Sequence, residues 1–326
     1  MASDAVVTAP PDESATVVVI GGPTASGKSA LAVRLAGEFG GTVINADSMQ
    51  LYDALPILTA QPSATDRQVA PHALYGVLPA DSVGTAQAWR EMALVEISRA
   101  VQAGRLPVVV GGTGLYLRTL MQGLSPMPDI PDEVRSRVRA LWDDEGADAV
   151  RSRLGRLDPA AVARLKPGDR QRQLRALEVV EATGRSLSDW QNAAAEGTPP
   201  GLRFATIVLR PERESLREAI AGRFKTMLAD GALDEAAKLL ARNLPAGRPI
   251  MRAVGLPQLR RHLSGEIERD QAVTEAIIAT RQYAKRQDTW FRHQFIAGHV
   301  VNSQYSEKNL PEIFSFIRRF GLTGPA

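Results

Sequence analysis

Short apolar runs alternate with amphipathic stretches through the first third of the chain. "ATVVVIGG" (15 to 22), "GTVINADS" (41 to 48) and "RLPVVVGGTG" (105 to 114) are rich in β-branched residues, as buried parallel strands are. "KSALAVRLAGEF" (28 to 39) and the stretch from Trp89 to Ala103 carry apolar residues at helical spacing. Strands that alternate with helices predict a doubly wound parallel sheet and therefore an α/β fold.

The strand pattern then stops. Residues 131 to 192 predict several short helices, with Gly146 and Gly184 as helix ends. The sheet pattern resumes at "FATIVLR" (204 to 210), and "GHVVNS" (298 to 303) is a further possible strand in a mostly helical remainder. The predicted organisation is a disordered N-terminal tail over 1–16, an α/β core over 17–124 and 203–326, and a helical insertion domain over 125–202.

Composition agrees with a globular protein and excludes some chemistry. The chain has 326 residues, of which 44% are hydrophobic and 23% charged, and it contains no cysteine. Disulfides, cysteine-ligated zinc and a thiol nucleophile are therefore excluded. No apolar stretch approaches the roughly 20 residues that a bilayer requires, and the N-terminal residues lack the features of a targeting signal. We expect a cytoplasmic protein with no membrane association and no obligatory protein partner. The net charge of +3 permits a nucleic-acid partner.

"GGPTASGKS" (21 to 29) matches the phosphate-binding pattern G-x-x-x-x-G-K-[ST] without a gap. Its position between a predicted strand and a predicted helix indicates a P-loop NTPase-like core. Glycines let backbone N–H groups approach an anion, Lys28 neutralises it, and Ser29 is the predicted Mg²⁺ ligand. The pattern leaves the phosphorylated ligand and its reaction open. The predicted loop comprises Gly22, Pro23, Thr24, Ala25, Ser26, Gly27, Lys28 and Ser29.

Two further strand ends carry candidate chemistry. Asp47 ends the second predicted strand, so a parallel sheet brings it to the edge that holds the phosphate loop. A carboxylate there is consistent with a cap for a following helix, a metal ligand or a general base. At "VVVGGTG" (108 to 114), three glycines let a second ligand approach the backbone, and Thr113 can donate a hydrogen bond; a simple tight turn is the alternative.

The segment "DRQRQLRALEV" (169 to 179) sets Gln171, Arg172 and Arg175 within one helical turn. Forked guanidinium groups beside an amide are typical of contacts to phosphates or base edges. A solvated helix face has the same pattern, so both interpretations stay open.

The segment "TRQYAKRQDTWFR" (280 to 292) combines basic and aromatic residues. Aromatic residues at helical spacing usually pack, so Trp290 and Phe291 are predicted core residues. The basic residues predict a nucleic-acid face. They are Arg281, Lys285, Arg286 and Arg292.

Taken together, six motifs resemble those of one family. They are "GPTASGKS", "DSMQLY", "GGTGLYL", "DRQRQLRALEV", "MRAVG" and "TRQYAKRQDTWFR". In this order and spacing the chain is similar, from about residue 17 to about residue 293, to the tRNA dimethylallyltransferases, also called tRNA isopentenylpyrophosphate transferases. The resemblance implies transfer of a dimethylallyl group from its diphosphate to the N6 amine of the adenosine just 3′ of the tRNA anticodon. It also implies Mg²⁺ and release of pyrophosphate.

The resemblance assigns roles to individual residues. Asp47 is implied as the general base, and Thr24, Thr113 and Arg223 as contacts of the diphosphate or the approaching nucleotide, with Thr24 and Arg223 among the catalytic residues. The target base leaves its stack to enter the site while the helical insertion and the basic C-terminal helix hold the anticodon stem-loop. The predicted tRNA contacts are Asp47, Ser48, Met49, Gln50, Thr113, Gln171, Arg172, Gln173, Leu174, Arg175, Arg281, Lys285 and Arg286.

The chain departs from the family pattern at one loop. The family continues D-S-x-Q-x-Y with a segment like R-G-M-D-I-G-T-A-K-P, and this chain reads "DALPILTAQP" (53 to 62). It therefore has Asp53 in place of the arginine, Leu58 in place of a glycine and Gln61 in place of the lysine. The family's "HHL" is "HAL" at 72 to 74.

Three other functions remain compatible with parts of the sequence. A small-molecule kinase shares the phosphate loop and the sheet, and loss of the ATP γ-phosphate would favour it. A non-catalytic RNA-binding NTPase switch would bind without chemistry. A prenyltransferase of free adenine nucleotides would accept AMP in place of tRNA.

Overall fold

The computed structural model describes residues 14–125, 127, 129–192 and 197–322. Its sheet has six strands in the order β3-β2-β4-β1-β5-β6, and every pairing is parallel. The predicted doubly wound α/β sheet is therefore confirmed. The strands are β1 (Ala15–Gly21), β2 (Gly41–Asn45), β3 (His72–Ala73), β4 (Leu106–Gly111), β5 (Leu202–Leu209) and β6 (His299–Val301).

β1 occupies the centre of the sheet, where Val19 lies opposite Val109 of β4 and Thr206 of β5. Successive side chains of a strand point to opposite faces. Val17 and Val19 accordingly belong to one hydrophobic core, and Val18 and Ile20 to a second one on the other face. The continuous apolar run seen in the sequence follows from burial on both faces.

Two compact units divide the chain. One comprises residues 1–121 and 200–326, and the other comprises residues 122–199. Within the described residues, no helix is long and apolar enough to cross a membrane. The helices up to the second unit and within it are α1 (Lys28–Glu38), α2 (Ala64–Val69), α3 (Ala86–Gln102), α4 (Gly114–Gln122), α5 (Asp132–Leu157), α6 (Pro159–Arg164), α7 (Arg170–Thr183) and α8 (Leu187–Asn192). The later helices are α9 (Arg213–Ala229), α10 (Ala232–Leu240), α11 (Leu256–Leu263), α12 (Arg269–Gln294) and α13 (Leu310–Leu322).

The second unit has a helical core of its own. Val150 and Leu154 of α5 pack with Ala176 and Leu177 of α7. Side-chain caps begin two of its helices, because the Asp158 carboxylate accepts the N–H of Ala161 and the Asp169 carboxylate that of Arg172. Gly184 ends α7 in the left-handed conformation, as the sequence predicts.

Two predicted boundaries move. β1 begins at Ala15, inside the predicted tail of 1–16, because Ala15 pairs with Leu202 of β5 and its N–H donates to the carbonyl of Gly201. The same pairing starts β5 at Leu202, inside the insertion predicted over 125–202. α5 is interrupted at Gly146, whose φ of 85° and ψ of −174° are not helical, so the helix end predicted there is confirmed. The rest of the predicted tail (1–13) and the last residues of the core (323–326) lie outside the described residues.

Candidate active site

The chemistry-bearing motifs of the first unit follow the carboxyl ends of three neighbouring strands. The phosphate loop follows β1, Asp47 follows β2, and the turn with Thr113 follows β4. In a doubly wound parallel sheet this edge is where ligands bind. The topology therefore brings the three motifs to one edge, as the sequence predicts.

The phosphate loop requires its glycines for two reasons. Gly22 and Gly27 have positive φ angles of 150° and 90°. A Cβ on Gly22 would lie 2.7 Å from the carbonyl oxygen of Leu209, and one on Gly27 would lie 2.7 Å from the Cβ of Tyr305. Ala25 also adopts a left-handed φ, of 63°, which costs a non-glycine residue about 1 kcal/mol or more.

Lys28 is a buried cation at the centre of this loop. Its side chain is 9% exposed, and Nζ donates to the carbonyl of Pro23 at 3.1 Å. Burial lowers its pKa to about 8, and the nearby charges of Asp47 and Arg223 act in opposite directions, with Asp47 raising and Arg223 lowering it. A bound anion would compensate this lost hydration, so the lysine is placed for a phosphate group.

Arg223 of α9 supplies a second cation to the same place. Its Nη1 donates to the Thr24 hydroxyl at 3.3 Å, and burial lowers its pKa while the charge of Asp47 raises it. Arg223 lines a cleft of about 720 Å³ together with Lys28, Ser29 and Gln61. The structure thus unites Arg223 with the loop from which almost two hundred residues separate it in the sequence.

Two short-range hydrogen bonds hold Asp47, one at its N–H and one at its Oδ1. Its N–H donates to the Asn45 side chain at 2.7 Å, and its Oδ1 accepts the N–H of Met49 at 3.0 Å. No helix forms between residues 46 and 63, so the interpretation of Asp47 as a helix cap is wrong. Burial raises the pKa of Tyr116 and of Tyr283, and the negative charge of Asp47 raises both further.

Thr113 connects the strand ends to each other. Its hydroxyl accepts the N–H of Ser48 at 3.0 Å, and its own N–H donates to the carbonyl of Ala46 at 3.3 Å. Thr113 and Ser48 therefore lie together beside Asp47.

Protein atoms occupy the space that the three glycines of this turn leave. A Cβ on Gly111 would lie 2.1 Å from the carbonyl oxygen of Ala46, and one on Gly112 would lie 2.1 Å from the amide nitrogen of Gln287. On Gly114 it would lie 2.1 Å from the Trp290 ring. The expectation that these glycines admit a second ligand is thus corrected, because they admit close packing.

Hydrogen bonds to residues outside it hold the loop in which the chain departs from the family pattern. Glu235 of α10 accepts the N–H groups of Ile57 and Leu58, both at 2.8 Å, and Leu58 itself is buried. Gln61 donates to the carbonyl of Tyr52 at 2.8 Å. Sequence reasoning missed Glu235, whose signal would have been an acid within an apolar helix face.

The amide of Gln50, a predicted tRNA contact, also supports this loop. It donates to the carbonyls of Thr59 and Ala60 at 2.9 and 2.7 Å. Met49, the neighbouring predicted contact, packs partly against the apolar core.

Trp290 and Phe291 of α12 pack into the core, as predicted. The basic residues of this helix lie on its exposed side. Arg281 and Lys285 line a groove of about 360 Å³ that also includes residues of α9, and the Arg286 guanidinium lies 5.7 Å from the centre of the Tyr283 ring.

The basic helix α7 divides its predicted contacts between surface and core. Gln171 and Arg172 are exposed. Arg175 is half-buried, near Met127 Sδ at 2.9 Å and Glu178 at 3.6 Å. Gln173 is fully buried, and its amide donates to the carbonyls of two residues before the helix. Leu174 packs against the helical core. The helical period turns these two residues away from the surface that the motif predicts.

Ser29, the predicted Mg²⁺ ligand, lines the cleft beside the phosphate loop. It is exposed to the cleft that Lys28 and Arg223 line, and among the described residues no group of three or more histidine, cysteine, aspartate or glutamate side chains could hold a metal. Mg²⁺ is commonly bound through one or two protein oxygens together with substrate phosphates. The Ser29 hydroxyl fits such a site.

Two models of isopentenyl transferase families match this chain. The family model for IPP transferase matches residues 50–294, and that for isopentenyl transferase matches residues 15–70. The tRNA dimethylallyltransferase of Paramagnetospirillum magneticum is 50% identical over 312 residues, covering 96% of this chain and 99% of the relative.

Two solved structures share the fold. The tRNA isopentenylpyrophosphate transferase of Bacillus halodurans has 30% identity and a TM-score of 0.68, with 93% of this chain and 96% of that chain covered. A eukaryotic dimethylallyltransferase acting on tRNA has 25% identity and a TM-score of 0.78, with 96% and 81% covered.

Proposed function

The chain belongs to the tRNA dimethylallyltransferase family, and from that premise we propose that it transfers a dimethylallyl group from dimethylallyl diphosphate to tRNA. The acceptor is the N6 amine of the adenosine just 3′ of the anticodon, and pyrophosphate is released. The observation that carries the proposal is that Lys28 and Arg223 line one cleft at the phosphate loop, with the charge of Asp47 near enough to act on both.

The negative charge of the leaving diphosphate accounts for the role of the two cations in the cleft. As the allylic C–O bond breaks, its electron pair moves to the diphosphate oxygen. Lys28, Arg223 and the loop N–H groups stabilise that negative charge. In the described part of the chain, the N–H groups of Gly27, Lys28 and Ser29 have no protein acceptor and are free to bind it.

The weak nucleophilicity of the adenine amine accounts for the role of the Asp47 carboxylate. The lone pair of the adenine amine is delocalised into the ring, which makes the amine a weak nucleophile. As its N–C bond to the allyl group forms, the amine loses a proton, and the Asp47 carboxylate accepts it. The Met49 N–H holds Oδ1 at 3.0 Å and orients the carboxylate.

Mg²⁺ would be held by the Ser29 hydroxyl and diphosphate oxygens, where it would further neutralise the leaving group. The tRNA anticodon stem-loop would meet the exposed cations of α7 and α12, and the target base would leave its stack to reach Asp47. We propose that the enzyme acts in the cytoplasm.

Labelled dimethylallyl diphosphate incubated with unmodified tRNA tests the proposal. Nucleoside analysis should find N6-(dimethylallyl)adenosine next to the anticodon. Transfer to AMP in place of tRNA would indicate a prenyltransferase of free nucleotides. ATP turnover without any prenyl transfer would indicate a kinase or NTPase and overturn the proposal.

A further inference from the structure

Two glutamines from the C-terminal part of the chain hold the phosphate loop from opposite ends of one dipeptide. Gln287 of α12 accepts the N–H of Thr24 at 2.8 Å. Gln304, in the segment that follows β6, donates to the carbonyl of Ala25 at 2.8 Å. We propose that Gln287 and Gln304 are positioning residues that keep the loop in its diphosphate-binding conformation before the diphosphate arrives. This inference rests on the proposed function.

The burial of Gln287 supports this role. The side chain is 5% exposed, and its amide nitrogen donates to the carbonyl of Gly112 at 2.9 Å while its oxygen holds Thr24. One side chain therefore ties the loop after β1 to the turn after β4. Gly112 is close enough to Gln287 that a Cβ would prevent this contact. The bond also occupies the Thr24 N–H, so the loop presents its later N–H groups to the anion.

Gln304 acts at the strained residue of the loop. Ala25 has a left-handed φ of 63°, which only glycine adopts without cost. The hydrogen bond to its carbonyl holds that conformation. In the same segment the N–H of Tyr305 donates to the Ser26 carbonyl at 3.3 Å, and Tyr305 packs where Gly27 has no side chain.

The loop itself supplies little of this support. Its internal bonds are the Ser26 N–H to the Pro23 carbonyl, at 3.3 Å, and Lys28 Nζ to the same carbonyl, at 3.1 Å. The Ser26 hydroxyl is buried and has no hydrogen-bond partner among the described residues. Because Gln304 lies beyond residues 50–294 that the IPP transferase model matches, the support of the site extends past the matched region.

The experiment measures binding of magnesium pyrophosphate by titration calorimetry, without tRNA. Gln287→Met removes two hydrogen bonds and should weaken binding about tenfold, and Gln304→Met removes one and should weaken it about two- to tenfold. Gln271→Met is the matched control, since Gln271 lies exposed on α12 and, among the described residues, donates to Glu275 alone. It should change binding by less than about twofold.

A rescue distinguishes positioning from general stability. Glycine adopts the Ala25 conformation freely, so in an Ala25→Gly background the further change Gln304→Met should cost less than about twofold. In steady-state transfer, Gln287→Met and Gln304→Met should raise the KM for dimethylallyl diphosphate and leave the KM for tRNA unchanged.

The outcomes separate the two proposals. Wild-type pyrophosphate binding in both glutamine variants, or a Gln304→Met loss that Ala25→Gly does not reduce, would overturn the positioning role. Weakened pyrophosphate binding in the variants, in a protein that transfers no prenyl group to tRNA, would overturn the proposed function and support the loop inference. If Gln287→Met fails to fold, the Gln304 and Ala25 series decides.

Discussion

Two sets of cations look equally basic in the sequence but occupy different environments. Lys28 in the cleft is 9% exposed, whereas the Arg172 side chain on α7 is 75% exposed and lies 3.5 Å from Asp169. A buried charge loses hydration and responds strongly to its neighbours, but an exposed one is screened by water and salt. Removing one cation from the cleft should therefore have a large effect on ligand binding, and removing one from the exposed helix a small effect.

The largest effect should come from the carboxylate that faces the buried cations. Asp47→Asn retains an oxygen for the Met49 N–H but cannot accept a proton, so kcat should fall by about 10² to 10⁴-fold. Single-turnover transfer at saturating tRNA measures it. Asp53→Asn, an exposed change in the same segment, is the control and should alter the rate less than about twofold.

A magnesium series separates the remaining roles of Asp47. Added metal should not restore the rate of Asp47→Asn if the carboxylate is the base, and partial restoration would indicate a metal ligand. A rate close to that of the wild type at every magnesium concentration would remove Asp47 from the mechanism.

Removal of the buried cation should have the next largest effect. Lys28→Met deletes a charge that stabilises the leaving diphosphate. The transition state should lose about 2 to 4 kcal/mol of stabilisation, which is measured as a lower kcat/KM for dimethylallyl diphosphate. Steady-state kinetics at pH 7 measures it. An effect no larger than that of an exposed arginine would abolish the contrast between the two sets of cations.

The pH dependence sharpens the same point. With a pKa of about 8, Lys28 loses its proton in the free protein as the pH rises through that value, and a bound diphosphate favours the charged form. Binding above pH 8 should therefore take up a proton, and affinity should fall by up to about tenfold per pH unit relative to Lys28→Met. Calorimetry in two buffers measures the proton uptake, and identical profiles for the two proteins would contradict it.

Glycine substitutions compare packing in the two units. Gly114→Ala drives a Cβ to 2.1 Å from the Trp290 ring and should destabilise the protein by about 1 to 3 kcal/mol. In α5, a Cβ on Gly155 would lie 3.7 Å from the Val162 side chain, which is ordinary contact. Gly155→Ala should therefore stabilise the protein by about 0.5 to 1 kcal/mol. Chemical denaturation followed by circular dichroism measures both, and equal signs would show that the turn can relax.

The smallest effect should come from the exposed helix. Arg172→Ala should weaken tRNA binding a few-fold and lower the salt slope by roughly one unit or less, with pyrophosphate affinity unchanged. Binding at several salt concentrations measures it, and Arg99→Ala, an exposed arginine of α3, is the control. An unchanged slope would indicate that Arg172 belongs to a solvated helix face and does not contact tRNA.

Much of the core could be predicted because it depends on local patterns. The apolar strands, the phosphate loop and the capped helices of the second unit follow from neighbouring residues. Gln173 and Leu174 could not be assigned correctly from their motif, because burial depends on which face of α7 meets its neighbours. The role of the three glycines near Thr113 was likewise hidden, since Gln287 and Trp290 fill their space from another helix.

By itself, the sequence determined the order of strands and helices, the phosphate loop and the position of Asp47 at a strand end, because each depends on residues adjacent in the chain. Only the tertiary structure decided that Arg223, Gln287 and Gln304 converge on that loop. The physical reason is that a hydrogen bond needs its two groups about 3 Å apart. No spacing along the chain encodes that distance for residues so far separated, which meet only when the sheet and its helices pack.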